Sequence, residues 1–185
     1  MTVKHEIKSQ LAKLLATEDL IVEHKQTETA CFNVHTRVLT LPMWERASNT
    51  VYDLLVGHEV GHALFTPDEN WLEKVAVPPQ FVNVVEDARI EKMMKRKYAG
   101  LGKTFYHGYK ELQDEDFFSI SDSNIADLNL ADRANLYFKV GNFVDISFTE
   151  EEITITRMIE DCETFDEVLQ AAEKLYLFCK KQQDE

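Results

Sequence analysis

Two histidines and a glutamate stand at a spacing that could hold and use a metal ion. They are His58, Glu59 and His62, within the pattern His-Glu-Val-Gly-His. On a helix, residues four apart lie on one face, about 6 Å apart along the axis, so both imidazoles can bind one tetrahedral zinc ion. Glu59 can then act as general base toward an activated water and pass the proton to a leaving amine. The pattern predicts a zinc-dependent peptidase.

The neighbours of this motif favour a metal site over a chance match on a surface helix. Apolar residues flank it on both sides: Val51, Leu54, Leu55, Val56, Ala63, Leu64 and Phe65. A helix that is apolar on nearly every side is expected to be buried or to line a cleft, where polar groups need partners. Gly57 and Gly61 each cost about 1 kcal/mol relative to alanine in a helix interior. This pair predicts close approach of another backbone.

A catalytic zinc usually takes three protein ligands, and the next predicted helix, residues 80–97, carries the candidates for the third. Glu86 shares a helical stripe with apolar residues only, namely Val82, Ile90 and Met93. A buried carboxylate is costly unless it is paired or bound to metal. We therefore expect Glu86 to be the third ligand. The alternative is an ion pair between Glu86 and Arg89, three residues on.

Other polar residues could support the site without binding the metal. Asp87 lies in a polar row with Asn83 and Glu91, and any of the three could orient a ligating histidine, with Asp87 slightly favoured. Arg89 is a further candidate for such a supporting role. Donors for the oxyanion of a tetrahedral intermediate are sought downstream. The candidates there are Tyr106, His107 and Tyr109.

The two segments together resemble a known family. The pairing of residues 58–67, His-Glu-Val-Gly-His-Ala-Leu-Phe-Thr-Pro, with residues 83–91, Asn-Val-Val-Glu-Asp-Ala-Arg-Ile-Glu, is similar to the gluzincin-type metallopeptidase domain of phage proteins, where it precedes a von Willebrand A domain. The resemblance implies zinc on His58, His62 and Glu86, with Glu59 as catalytic base. Many gluzincins also place an acid four residues after the ligating glutamate, to hold a histidine. Here that position is Ile90.

The order of predicted elements indicates an α+β fold, mostly helical and zincin-like, with a small N-terminal sheet and a helical C-terminal part. A first helix from Glu6 to Ala16 is expected to be amphipathic, with Ile7, Leu11, Leu14 and Leu15 on its apolar face. Strands are expected over residues 20–25 and 30–41, and capping boxes open helices after Thr149 and Thr164. We expect a metal-binding core over residues 1–102 and a helical part over 103–185, packed on the core as one unit.

Composition narrows the function classes. The net charge of −13 makes nucleic acid an improbable direct ligand, because phosphate contacts need a basic surface. No apolar run is long enough to span a membrane, and none has the form of a secretory signal, so a cytoplasmic location is expected, which would be the host cytoplasm for a phage protein. The three cysteines lie far apart, which suits a reducing compartment.

Three functions remain open at this stage. The first is an active zinc peptidase that takes a peptide or protein substrate. The second is a non-catalytic module that contains zinc and recruits a von Willebrand A or ATPase partner. The third is a metal-free helical domain in which the histidines are structural.

Overall fold

The computed structural model describes residues 4–185, and over these residues the chain has the predicted α+β fold, dominated by helices. Three strands and seven α-helices occur in the described part of the chain. They are α1 (His5–Ala16), β1 (Ile21–Lys25), β2 (Cys31–Asn33), β3 (Val38–Pro42), α2 (Asn49–Phe65), α3 (Pro79–Lys97), α4 (Leu101–Asp114), α5 (Leu130–Val140), α6 (Glu150–Glu160) and α7 (Phe165–Asp184). None of the helices within residues 4–185 combines the length and apolar character that crossing a membrane requires.

The packing of the chain defines two compact units that interleave along the sequence. The first comprises residues up to Asp68 together with Ile90–Leu112, and the second comprises Glu69–Arg89 together with Gln113–Glu185. The first half of α3, up to Arg89, belongs to the second unit. Its second half, from Ile90, belongs to the first unit.

The small sheet of the first unit has the order β1-β3-β2. Strand β1 pairs with β3 in parallel and β2 pairs with β3 antiparallel. The sequence analysis expected one strand over residues 30–41, but a turn divides it. The side chain of Asn33 accepts hydrogen bonds from the backbone N–H groups of His35 and Thr36, and Arg37 is left-handed with φ 59°. An asparagine that bonds to the backbone just after it favours a turn over continued strand.

Helix α1 packs on α2 through a face that the sequence analysis did not predict. Its buried residues include Ala12, and Lys8 is buried with its ammonium group 2.5 Å from Asp53 of α2. Of the expected apolar face, Leu11 and Leu15 are half-buried, whereas Ile7 and Leu14 are exposed at 52% and 75%. The expectation was wrong for Ile7 and Leu14 because it counted apolar residues only. A small alanine allows close helix packing, and a lysine can be buried along its stem when its charge is paired.

The two glycines of α2 meet side chains rather than another backbone, and only one contact is tight. A Cβ atom at Gly61 would lie 2.8 Å from Ile90 Cδ1 and 3.0 Å from Met94 Cγ, both on α3. A Cβ atom at Gly57 would meet side chains of α4 at 3.4 Å or more, which is ordinary contact distance. The close contact at Gly61 is therefore with side chains of the second half of α3, and not with another backbone as expected.

In the second unit, α5, α6 and α7 share a hydrophobic core with the first half of α3. Its members include Val82, Val85, Leu130, Val168 and Leu175. Beside this core a buried ion pair joins α5 to α6. Arg133 donates two hydrogen bonds to Glu152, at 2.9 and 2.5 Å. Glu152 also completes the predicted capping box with Thr149 at the start of α6. The pair anchors α6 at the point where its first turn begins.

Candidate metal centre

Helix α2 places the two histidines of the motif side by side. Ser48 begins the helix by accepting a hydrogen bond from the N–H of Val51, at 3.1 Å. The helix then continues without a break to Phe65, so His58 and His62 lie one turn apart with ring centroids separated by 5.1 Å. Both rings are partly accessible, whereas Glu59 between them in sequence is buried. The predicted shared face of the two imidazoles is thus confirmed.

The ring of His58 is held by Glu91, from the second half of α3. The Nδ1 atom of His58 lies 2.8 Å from Glu91 Oε1, and Glu91 is only 3% exposed. An ionised carboxylate can only accept hydrogen bonds, so Nδ1 must be the donor in this pair. The neutral ring then presents the lone pair of Nε2, which is the arrangement found behind metal-binding histidines. Glu91 was one of three candidates for this role.

The ring of His62 has a different partner. Its Nδ1 atom lies 2.9 Å from the hydroxyl oxygen of Thr66, the residue that ends α2. A hydroxyl can donate or accept, so this contact fixes the ring orientation and permits either tautomer. The sequence analysis did not name Thr66. Its position four residues after His62 puts it on the same helical face, which was the available signal.

Tyr109 of α4 contacts the carboxylate that holds His58. Its hydroxyl donates a hydrogen bond to Glu91 Oε1, the same oxygen that accepts from His58. Tyr109 was expected as an oxyanion donor, and this hydrogen bond gives its hydroxyl a partner that itself contacts His58. The other two candidates, Tyr106 and His107, are exposed on α4, where their rings pack edge to face with centroids 5.2 Å apart.

An acid from the first half of α3 completes a group of possible metal ligands. His58, His62 and Asp87 each offer one ligand atom to a group that could hold a metal ion. Two imidazoles and a carboxylate are a donor set that suits zinc.

Asp87 also has a basic partner, Lys139 of α5. The Nζ atom of Lys139 lies 3.0 Å from Asp87 Oδ2, and both side chains are largely buried. An ammonium group at this distance favours the ionised form of the carboxylate, which is the form that binds a metal. The sequence contains no local signal for this contact, because the two residues are 52 positions apart.

Glu86, the acid expected as third ligand, is engaged by Arg89. Its Oε1 atom accepts from Arg89 Nε at 2.9 Å and lies 2.7 Å from Nη2. Arg89 also donates to the backbone oxygen of Glu163 at 3.3 Å. The ion pair was the stated alternative, and it accounts for a buried carboxylate without a metal. Asp87 is therefore an alternative to Glu86 as the third ligand, and Asn83 is exposed.

Comparison of the chain with protein-family models, with curated proteins and with solved structures found no match. What the site can do chemically therefore follows from its own donor atoms and their surroundings.

Proposed function

We propose that this chain is a zinc-dependent peptidase with His58, His62 and Asp87 as its metal ligands. The observation that carries the proposal is the engagement of both Nδ1 atoms within the protein, by Glu91 and Thr66. Each ring would bind a metal through Nε2. Asp87 joins the two histidines in a group that could hold a metal ion. Metal-binding histidines are oriented in this way by a partner on their second nitrogen.

The choice of Asp87 also removes a mismatch with the gluzincin pattern. In that pattern, a second acid stands four residues after the ligating acid, and this second acid holds a histidine. Four residues after Glu86 stands Ile90, which cannot do this. Four residues after Asp87 stands Glu91, which does contact His58. The pair Asp87 and Glu91 therefore supports the resemblance better than a site built on Glu86.

Zinc bound here would polarise a carbonyl group and make a water molecule more acidic. The protein would supply the proton transfers through Glu59, which is buried on α2 next to His58. A carboxylate in this position would take a proton from the attacking water and give it to the departing amine. Glu91 and Thr66 would keep the imidazoles fixed during these steps.

Substitution Glu59→Gln tests this function, because it removes the base and keeps the size of the side chain. Zinc-loaded wild type is expected to cleave members of a broad peptide library, detected by mass spectrometry. The variant should bind zinc equally and cleave about 10²- to 10⁴-fold more slowly, the usual contribution of a general base. Glu73→Gln, at an exposed glutamate, is the matched control and should behave as wild type. A Glu59→Gln variant that cleaves as fast as wild type would refute the mechanism.

Zinc-loaded wild type that cleaves no peptide would instead support the non-catalytic alternative, a module that recruits a von Willebrand A or ATPase partner.

We also propose a cytoplasmic location, that of an infected host if the protein is from a phage. The free cysteines Cys31, Cys162 and Cys179 suit a reducing compartment.

A further inference from the structure

A chain of two hydrogen bonds runs from Tyr109 through Glu91 to His58. Tyr109, its outermost member, has no role in the proposed chemistry. We infer that Tyr109 is a positioning residue that holds Glu91 and, through it, fixes the tautomer of His58. Its effect on zinc binding rests on the proposed function. Its effect on the His58 ring does not, because the hydrogen-bond chain is present without a metal.

The two hydrogen bonds of this chain meet at one oxygen atom. Glu91 Oε1 accepts from the hydroxyl of Tyr109 and from Nδ1 of His58. Tyr109 is 5% exposed and Glu91 is 3% exposed, so the bond between them is buried, and the bond from His58 to Glu91 is partly buried. A buried carboxylate that accepts from two fixed donors cannot rotate without breaking one of them. The carboxylate is thereby held in the orientation that keeps the proton on His58 Nδ1.

Helix α4 is packed so that the phenol of Tyr109 stays in place. A Cβ atom at Gly108 would lie 2.6 Å from Leu54 Cδ1 and 2.9 Å from Leu54 Cβ, so the backbone beside Tyr109 lies directly against α2. The ring of Phe105, one turn earlier on α4, lies nearly parallel to the ring of Tyr109, with centroids 6.3 Å apart. A tyrosine confined in this way is a rigid donor.

Removal of the hydroxyl should loosen the carboxylate and let His58 populate both neutral tautomers. A ring that carries its proton on Nε2 cannot bind a metal through that atom. Loss of a direct partner behind a metal ligand typically lowers metal affinity by about 10- to 100-fold. Tyr109 stands one bond further out, so we expect Tyr109→Phe to lower zinc affinity by about 3- to 10-fold.

The test compares Tyr109→Phe with Tyr98→Phe in the full chain. Tyr98 is a matched control because its hydroxyl donates to the backbone oxygen of Leu15 at 2.6 Å, away from the hydrogen-bond chain. Both variants lose one tyrosine hydrogen bond. Nitrogen-15 NMR of the zinc-free protein, at a pH where the imidazoles are neutral, reports the tautomer of His58. Competition with a chelator gives the zinc affinity.

Wild type and Tyr98→Phe should show the His58 proton on Nδ1, and Tyr109→Phe should show a mixture of tautomers with weaker zinc binding. Glu91→Gln provides a second variant and should shift the tautomer at least as far. Unchanged His58 signals in Tyr109→Phe would overturn the inference, even if zinc binds. If zinc does not bind but the tautomer shifts, the positioning role stands and the proposed function fails.

Discussion

Replacement of Gly61 with alanine should destabilise the protein, whereas the same change at Gly57 in the same helix should stabilise it. At Gly61 the new methyl group would lie 2.8 Å from Ile90 Cδ1, 3.0 Å from Met94 Cγ and 3.3 Å from Ile90 Cβ. Ile90 and Met94 are fully buried, so a shift of either side chain must be accommodated within the core. At Gly57 the nearest atoms are 3.4–3.5 Å away, so a methyl group fits.

The magnitudes follow from two opposing effects. Alanine is better than glycine in a helix interior by about 1 kcal/mol, and this gain applies at both positions. Overpacking of a close contact costs about 1–3 kcal/mol, and this cost applies only at Gly61. Gly57→Ala should therefore raise the free energy of unfolding by about 0.5–1 kcal/mol. Gly61→Ala should change it by roughly zero to −2 kcal/mol.

Urea unfolding of wild type and the two variants measures these differences. Because both changes are the same chemical substitution in one helix, their effects on the unfolded chain largely cancel. Equal stabilisation by the two substitutions would show that α2 and α3 do not pack as closely at Gly61 as the structure indicates. It would also weaken the placement of Glu91 beside His58, which depends on the same helix contact.

Two further predictions concern charge. Burial, and secondarily the nearby His5, lower the pKa of His24 below its usual 6.5. The unfolded chain therefore binds a proton at His24 more readily than the folded chain does. The free energy of unfolding should fall as the pH drops below about 6.5, and it should level off below the folded-state pKa. His24→Gln should flatten that part of the profile in urea titrations at several pH values. Asp87→Asn should weaken zinc binding by at least about 10-fold in a chelator competition, and by more than Glu86→Gln does. Glu86→Gln should instead lower stability, because it leaves Arg89 with a neutral partner.

Local sequence patterns predicted the parts of the site that one helix can encode. The spacing of His58 and His62 fixed their shared face, because helix geometry alone sets it. The capping box at Thr149 likewise depends on residues three apart, and α6 begins there. The mostly helical α+β class followed from the same local signals.

Contacts between residues far apart in sequence could not be predicted. Glu86 was favoured as a ligand because a buried acid needs a partner, and the structure shows the ion pair with Arg89 that the sequence offered as the alternative. Asp87 was placed in a polar row, and its contact with Lys139 could not be read from sequence. The buried face of α1 depends in the same way on the pairing of Lys8 with Asp53. Hydrophobic periodicity carries no information about such pairs.

The zinc content of the purified chain tests the central claim most directly. Elemental analysis after purification without chelators should find about one equivalent of zinc per chain in wild type and in Glu59→Gln. The double substitution His58→Ala and His62→Ala should remove most of it. Less than about a tenth of an equivalent in wild type, with no uptake when zinc is added back, would contradict a metal centre on α2.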